Sequence, residues 1–249
     1  VAFLATHESG GIVFIDGQAV KIHPDHDVGF PPTFSEDGRV IAYRLTERKE
    51  MRSCVVFDGT AGPAFDAVGP PILSRDGKVV AYWAGKNDRY FLRIGDWNGP
   101  SFDGITDPAI SADGTTVAYA AEIEDHWYLL AGGRKTPIPG HPYFVFISDD
   151  GKHLGWVDRA GLKMRVVFGG LPGEAFGIVG KPVISPIAPL VAYGAEEKDR
   201  KYVVIGTRKT ETPDRISDPA FSPDGKSIGY GALIGRELWW KVLEVSAHR

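Results

Sequence analysis

Apolar residues along this chain fall into short runs that recur at a nearly fixed interval. Six segments align on a serine preceded by an apolar residue: Phe34-Ser35, Leu73-Ser74, Ile110-Ser111, Ile147-Ser148, Ile184-Ser185 and Phe221-Ser222. The serines lie 39, 37, 37, 37 and 37 residues apart, a register that marks a structural repeat. In five of the six the serine opens a Ser-x-Asp-Gly motif, ending in Asp37-Gly38, Asp76-Gly77, Asp113-Gly114, Asp150-Gly151 and Asp224-Gly225. A second apolar signal follows each time: Ile41-Ala42-Tyr43, Val80-Ala81-Tyr82, Val117-Ala118-Tyr119, Leu154-Gly155-Trp156, Val191-Ala192-Tyr193 and Ile228-Gly229-Tyr230. A seventh copy, Val1-Ala2-Phe3, opens the chain without its serine motif. Five units carry proline three residues before the serine (Pro32, Pro71, Pro108, Pro182 and Pro219), where the fourth has Val145.

Each unit reads as four short strands, A to D. Strand A is the apolar pair before the serine. The turn after it uses Asp-Gly for the positive φ that a close hairpin wants. Strand B is the Val-Ala-Tyr run. In residues 79–84, Val-Val-Ala-Tyr-Trp-Ala, both alternating sets are apolar, the pattern of a strand covered on both faces. A charged loop such as 46–50 or 196–201 leads to strand C, at 54–57, 90–94, 127–130, 165–168, 202–205 and 238–243. Strand D is weaker and polar, as an outer edge should be, and is expected at 64–68, 101–105 and 174–179. No stretch of ten residues holds a 3.6-residue period free of turn residues, so almost no helix is expected.

One four-stranded sheet cannot cover both of its apolar faces, so neighbouring copies must stack. The expectation is an all-β, seven-bladed β-propeller of four-stranded antiparallel blades, one domain over 1–249 built from repeats of about 37 residues. Seven B and C strands can be counted but only six A and six D strands. Six blades with a leftover N-terminal hairpin is therefore the alternative. The fifth unit departs from the pattern, with Ser185-Pro186-Ile187-Ala188-Pro189 in place of the Asp-Gly turn.

Composition adds bounds. The 249 residues are 43% apolar, enough for a sizeable core in one β domain. The 31 Gly and 18 Pro are spread along the chain, as turn punctuation rather than disorder. A net charge of −4 gives no general attraction to nucleic acid or anionic membrane. No run approaches the roughly 18 apolar residues of a membrane-spanning helix. Cys54 is alone, so no disulfide can form within the chain, and its place among valines predicts a buried, inert thiol. No basic start leads into an apolar stretch, so no signal peptide is read; the chain opens on Val1, which leaves its compartment unspecified.

The Phe-Ser-Pro-Asp-Gly-Lys stretch at 221–226, followed by Ile228-Gly229-Tyr230, resembles the TolB-type WD40-like (PD40) β-propeller repeat family. The resemblance extends over nearly the whole chain. It implies a propeller of a kind common in bacterial envelope and secreted proteins, and hence favours a periplasmic or secreted setting. The extra α/β domain that precedes the propeller in TolB itself has no counterpart here, so TolB's own role is not implied.

Five near-copies of Ser-x-Asp-Gly argue against catalysis, because a catalytic group is rarely needed five times; the Asp is read as a turn-former and the Gly as a left-handed residue. The densest ligand-like cluster is His23-Pro24-Asp25-His26-Asp27. A loop fixes no metal geometry there, so no metal and no cofactor is expected, while His23 and His26 are retained as candidate contacts. The runs Glu122-Ile123-Glu124-Asp125 and Glu196-Glu197 read as solvated hairpin tips. The aromatics Tyr90, Phe91, Trp127, Tyr128, Tyr202, Trp239 and Trp240, near the starts of C strands, read as packing between blades. No Gly-x-Ser-x-Gly occurs, and no catalytic residue is assigned.

The expected role is non-catalytic binding of another protein, a larger assembly or a ligand, through the loop face and channel mouth. A hydrolase or lyase acting on a glycan or similar polymer is the alternative, since propeller sites assemble from distant segments. The A–B turns are short and alike, whereas the D–A and B–C loops vary, and variable loops on a rigid scaffold carry recognition. Candidate binding residues at the D–A entries are Asp107, His141, Tyr143, Lys181 and Asp218, the irregular fourth entry, 139–144, being the favoured contact.

Overall fold

The computed structural model of the chain describes residues 2–7, 10–15, 18–212 and 215–245, with 2–7, 15, 20–23 and 30 as backbone only. None of the described residues is helical. They form seven antiparallel sheets in two compact units, Val1–Pro139 and Gly140–Arg249. The seven sheets match the seven blades of a β-propeller.

The first unit holds four sheets. The first is Ala2–His7, Gly10–Ile15 and Gln18–Pro24, that is, strands B, C and D without A; Val1 lies outside the described residues. The second is complete, with His26–Phe34, Ile41–Glu47, Ser53–Phe57 and Thr60–Ala61. In the third, Ala67–Val68 and Ile72–Leu73 both pair with Val80–Lys86 and together make one inner strand, broken at Gly69-Pro70-Pro71. Arg89–Ile94 and Trp97–Asn98 complete it. The fourth repeats this plan with Gly104–Ile105, Ala109–Ile110, Val117–Ile123, His126–Ala131 and Arg134–Ile138.

The second unit holds three sheets. The fifth is Pro142–Ile147, Leu154–Ala160, Lys163–Phe168 and Leu171–Phe176. The sixth is Ile178–Val179 with Val183–Ile184, then Val191–Glu197, Arg200–Ile205 and Arg208–Thr212. The seventh is Arg215–Ile216 with Ala220–Phe221, then Ser227–Ile234 and Glu237–Glu244. Its third strand has no outer neighbour among the described residues.

The outer strands sit earlier than the polar pattern predicts. Residues 67–68, 104–105 and 178–179, expected to end outer strands, instead begin the inner strand of the next sheet. The chain crosses between sheets within two residues: Phe65 still bridges to Ser53, while Ala67 already pairs with Gly85. A polar edge strand has no buried face to fix its register in sequence.

Packing explains the Val-Ala-Tyr run. Alternate residues of a strand point to opposite faces. The tyrosine packs on the preceding sheet and the alanine receives the tyrosine of the following one. Tyr82 thus shares a cluster with Ala42 and Val55, and Tyr230 with Ala192 and Val203. Ala42, Ala81, Ala118 and Ala192 have no exposed surface. Each buried aromatic or aliphatic side chain contributes roughly 1.5–3 kcal/mol.

The Ser-x-Asp-Gly corner is a closed hydrogen-bond circuit. In the third sheet the Ser74 hydroxyl donates to Asp76 Oδ1 (2.8 Å) and accepts from the Val79 amide (3.0 Å). Asp76 Oδ1 accepts from the Lys78 amide (3.1 Å), and the Gly77 amide donates to the Ser74 carbonyl (2.9 Å). The same bonds recur at Ser35, Ser111, Ser148 and Ser222. Serine therefore anchors the corner, a part that its sequence position alone leaves open. In the fifth unit, which lacks the Asp, Ser185 Oγ accepts only a long bond from the Ile187 amide (3.4 Å). Within the first unit successive corners are linked, because the Glu36 amide donates to the Arg75 carbonyl and the Arg75 amide to the Ala112 carbonyl.

Two predictions follow from the corner. Gly38 has φ +71° and open space where a Cβ would go, so Gly38→Ala should cost about 1 kcal/mol from backbone strain alone. At Gly77, Gly114 and Gly225 a Cβ would also come within 2.9 Å, 2.9 Å and 2.5 Å of side-chain atoms of the preceding unit's corner. Their Ala variants should melt lower than Gly38→Ala in thermal denaturation, and equal losses at all four would contradict the contacts. The second concerns acid. Asp76 is lowered to about 2 by Lys78, through its side chain and amide, and by Ser74; Asp150 is lowered to about 2 by the Ser148 hydroxyl and the Lys152 amide. Carboxyls depressed by folding stabilise the fold above their unfolded value of 3.8, and that stabilisation is lost as pH falls toward 2. The double variant Asp76→Asn/Asp150→Asn should therefore show a flatter melting-temperature profile between pH 4 and pH 2 than the parent.

Candidate functional site

The loop end of each sheet is shaped by its B–C hairpin and by the entry to its inner strand. Three hairpins turn on consecutive non-glycine residues at positive φ: Asn87-Asp88, Glu124-Asp125 and Lys198-Asp199. Such turns need support, and carboxylates supply it. Asp66 Oδ2 accepts from the Asn87 amide (2.8 Å) and Asp103 Oδ2 from the Glu124 amide (3.2 Å). In the sixth sheet the direction is reversed, and Glu197 Oε2 accepts from the Gly177 amide (2.9 Å). Of the acidic runs, Glu124-Asp125 is thus a hairpin tip, whereas Glu122 and Glu196-Glu197 stand at the ends of the strands that lead into tips and are partly buried.

The sequence-selected residues divide between the two units. In the first, Asp107 Oδ1 accepts from Trp83 Nε1 (2.7 Å), and burial raises its pKa against that hydrogen bond. Trp83 lies over Gly69, where a Cβ would sit 2.1 Å from Nε1. Asp107 therefore ties the fourth sheet's entry to the third sheet. His26 Nδ1 donates to the Pro24 carbonyl (2.8 Å), and Asp27 pairs with Arg48 (2.8 Å). His23 lies in a strand opposite Gly11, and its side chain is outside the described residues. No three His, Cys, Asp or Glu side chains come together as metal ligands among the described residues.

In the second unit, the irregular fifth-sheet entry places His141 and Tyr143 in an edge-to-face pair with centroids 6.3 Å apart. Both are exposed. A bulge between Pro142 and Phe144 sets this geometry. Across the same sheet, Asp158 is fully buried and makes a two-pronged pair with Arg165, Nε to Oδ1 at 2.8 Å and an Nη to Oδ2 at 3.3 Å. Equivalent strand positions hold Leu45, Ala84, Ala121, Ala195 and Ala232, all buried. Asp158 is thus a charge placed at an apolar repeat position and neutralised inside the sheet.

The structure brings Lys181 and Asp218 together. Asp218 Oδ1 accepts from the Lys181 amide (3.2 Å), and Gly180 permits this approach, because a Cβ there would lie 2.6 Å from the same oxygen. Beside this contact a cleft of about 290 Å³ opens between the sixth and seventh sheets, lined by Ile178, Gly180, Gly194, Glu196, Arg215 and Asp218. Ser217 clamps its far wall: its amide donates to the Gly231 carbonyl and its hydroxyl accepts from the Gly231 amide, both at 2.9 Å. Glu196 is paired with Lys201. Among the described residues the Arg215 guanidinium and the Lys181 ammonium have no ionic partner. Arg215, Ser217 and Glu196 escape sequence reasoning, since only the fold joins 178–180, 194–196 and 215–218.

Cys54 is half-buried, and burial pushes its thiol pKa up, as expected of an inert cysteine. Of the C-strand aromatics, Phe91 lies edge-on to Phe65 and Tyr202 against Phe176, as expected of packing between sheets, whereas Tyr90 packs on Trp83 and Tyr128 under Lys135 within their own sheets. Trp239 and Trp240 differ, being 49% and 68% exposed on a strand with no described outer neighbour.

No family model matches the chain and no curated protein matches its sequence. Solved structures do. The chain is similar to the β-propeller domain of the Trilobed protease from Pyrococcus furiosus, at 12% identity over 98% of this chain and 90% of that one, with a TM-score of 0.55. It is similar to the Dos1 propeller at 11% identity over 94% and 73%, TM-score 0.55. It is also similar to an oligogalacturonate lyase in complex with manganese, at 11% identity over 98% and 76%, TM-score 0.51. At such identities the likeness is one of fold: the chain is a β-propeller protein.

Proposed function

We propose that this chain is a non-catalytic binding propeller of the TolB-type repeat class that recognises an acidic segment of a partner protein at the loop face of its second unit. The observation that carries this is the cleft lined by Arg215, with Lys181 following its lining residue Gly180 in the chain; neither cation has an ionic partner among the described residues. The chain as a whole is net acidic at −4, so a local positive site selects for a complementary patch rather than for polyanions in general. The TolB-type assignment rests on the 221–230 motif and its copies. Glycan cleavage would ask for two carboxylates free to act as acid and base. In this cleft Asp218 holds the Lys181 amide and Glu196 pairs with Lys201, which favours binding over chemistry.

Selection of a random peptide display library on the immobilised chain tests this. Enriched peptides should be rich in Asp and Glu, and Lys181→Glu/Arg215→Glu should weaken them about tenfold or more while leaving the melting temperature within a degree or two. Enrichment without acidic residues, or affinity unchanged by the charge reversal, would refute the proposal.

A further inference from the structure

Opposite the repeat's aromatic residue, strand C carries an apolar side chain in four sheets: Val56 faces Tyr43, Leu130 faces Tyr119, Val167 faces Trp156 and Val204 faces Tyr193. The third sheet breaks this rule and puts Arg93 opposite Tyr82. The Arg93 side chain is 9% exposed. Burying a guanidinium is strongly unfavourable unless it is well paired. Its partners here are neutral groups, the Tyr82 hydroxyl among them, and one exposed carboxylate. One Nη donates to Asn98 Oδ1 (2.7 Å) and more distantly to the Asp96 carbonyl (3.5 Å), while the other meets Asp96 Oδ1 at 3.1 Å. That Asp96 carboxylate is fully exposed, so water screens it and competes for it. Nothing in the repeat requires a cation at this position, since valine or leucine fills it in those four sheets; the seventh sheet also carries a cation there, Lys241 opposite Tyr230, but on a strand with no described outer neighbour.

Arg93 lines a cleft of about 340 Å³ between the second and third sheets, at the lower end of the range of small-ligand pockets (about 300–1,000 Å³). Val55, Phe57, Pro63 and Val80 supply apolar walls, and Tyr82 stands beside the guanidinium. The arrangement has one cationic end and a greasy body. It contrasts with Asp158 in the fifth sheet, whose two-pronged pairing with Arg165 is satisfied within the sheet.

We propose that this cleft is a binding site for a carboxylate carried on an apolar body, with Arg93 receiving the carboxylate and Asp96 holding the guanidinium in place when the site is empty. A free aromatic or aliphatic acid and a polypeptide ending in an apolar residue present the same chemistry. The site lies in the first unit, apart from the loop-face cleft of the second.

The test titrates the full chain with 3-phenylpropionate, with 3-phenylpropionamide, and with a tetrapeptide ending in phenylalanine as free acid and as amide, read by NMR shifts of the Tyr82 and Arg93 resonances. Binding by the acids and not by the amides is expected, and whichever acid binds at least tenfold more tightly identifies the source of the carboxylate. Arg93→Leu, which restores the repeat's apolar residue, should melt no lower than the parent and bind no probe. Asp96→Ala keeps Arg93 and removes the competing carboxylate, so it should bind the acid several-fold more tightly. Equal binding of acid and amide, retained binding in Arg93→Leu, or no binding by either the parent or Asp96→Ala would overturn the assignment. A marked fall in the melting temperature of Arg93→Leu would do the same, because it would make Arg93 a structural ion pair.

Discussion

The fold depends on one constraint: the middle strand of every repeat is apolar on both faces, and a sheet of this size cannot dry both by itself. Tyrosine on one face and alanine on the other make the solution directional within each unit, Tyr82 lending a ring to the second sheet and Tyr230 one to the sixth, where Ala42 and Ala192 give them shallow seats. Where glycine replaces the alanine, an aromatic side chain of the same sheet takes up the space. A Cβ at Gly155 would lie 2.2 Å from Phe146, and one at Gly229 would lie 2.3 Å from Trp240. The corner circuits of Ser and Asp then fix where the inner strand ends in five of the sheets.

Against so regular a frame, departures acquire meaning. Arg93 and Asp158 each put a charge where most repeats put carbon, and the fold answers them differently. Asp158 is neutralised by an arginine on the adjacent strand, so the pair closes on itself. Arg93 leans on a carboxylate that solvent already occupies, and it opens onto a cleft. Likewise, most loop-face acids hold backbone amides of hairpins or strand entries, as Asp66, Asp103 and Asp218 do. Arg215 and Lys181 stand out by having no ionic counterpart among the described residues.

Much of this architecture can be read directly from the chain. The serine spacing gives the repeat length, the two-faced Val-Ala-Tyr run demands stacking, and the deficit of one inner and one outer strand appears, among the described residues, as a three-stranded first sheet and a seventh without an outer strand. The outer strands resist such reading, because polar edges lack the burial that would fix their register, and residues 67–68 and 104–105 cross to the next sheet. Of the candidate site, Lys181 and Asp218 could be named from their place before the serine. Arg215 and Glu196 could not, as the cleft joins segments separated by more than a dozen residues each. Arg93 was visible in principle: aligning the C strands on the residue facing the aromatic sets Arg93, together with Lys241, apart from the apolar residues of the other sheets.

Native-state hydrogen exchange on Tyr82→Ala addresses the stacking constraint most directly. Tyr82 belongs to the third sheet but packs on Ala42 and Val55 of the second. Removing its ring should lower amide protection in Ile41–Glu47 and Ser53–Phe57 as well as in its own strand, Val80–Lys86. Loss of protection confined to the third sheet would contradict the account, because it would mean that each sheet holds its structure without its neighbour.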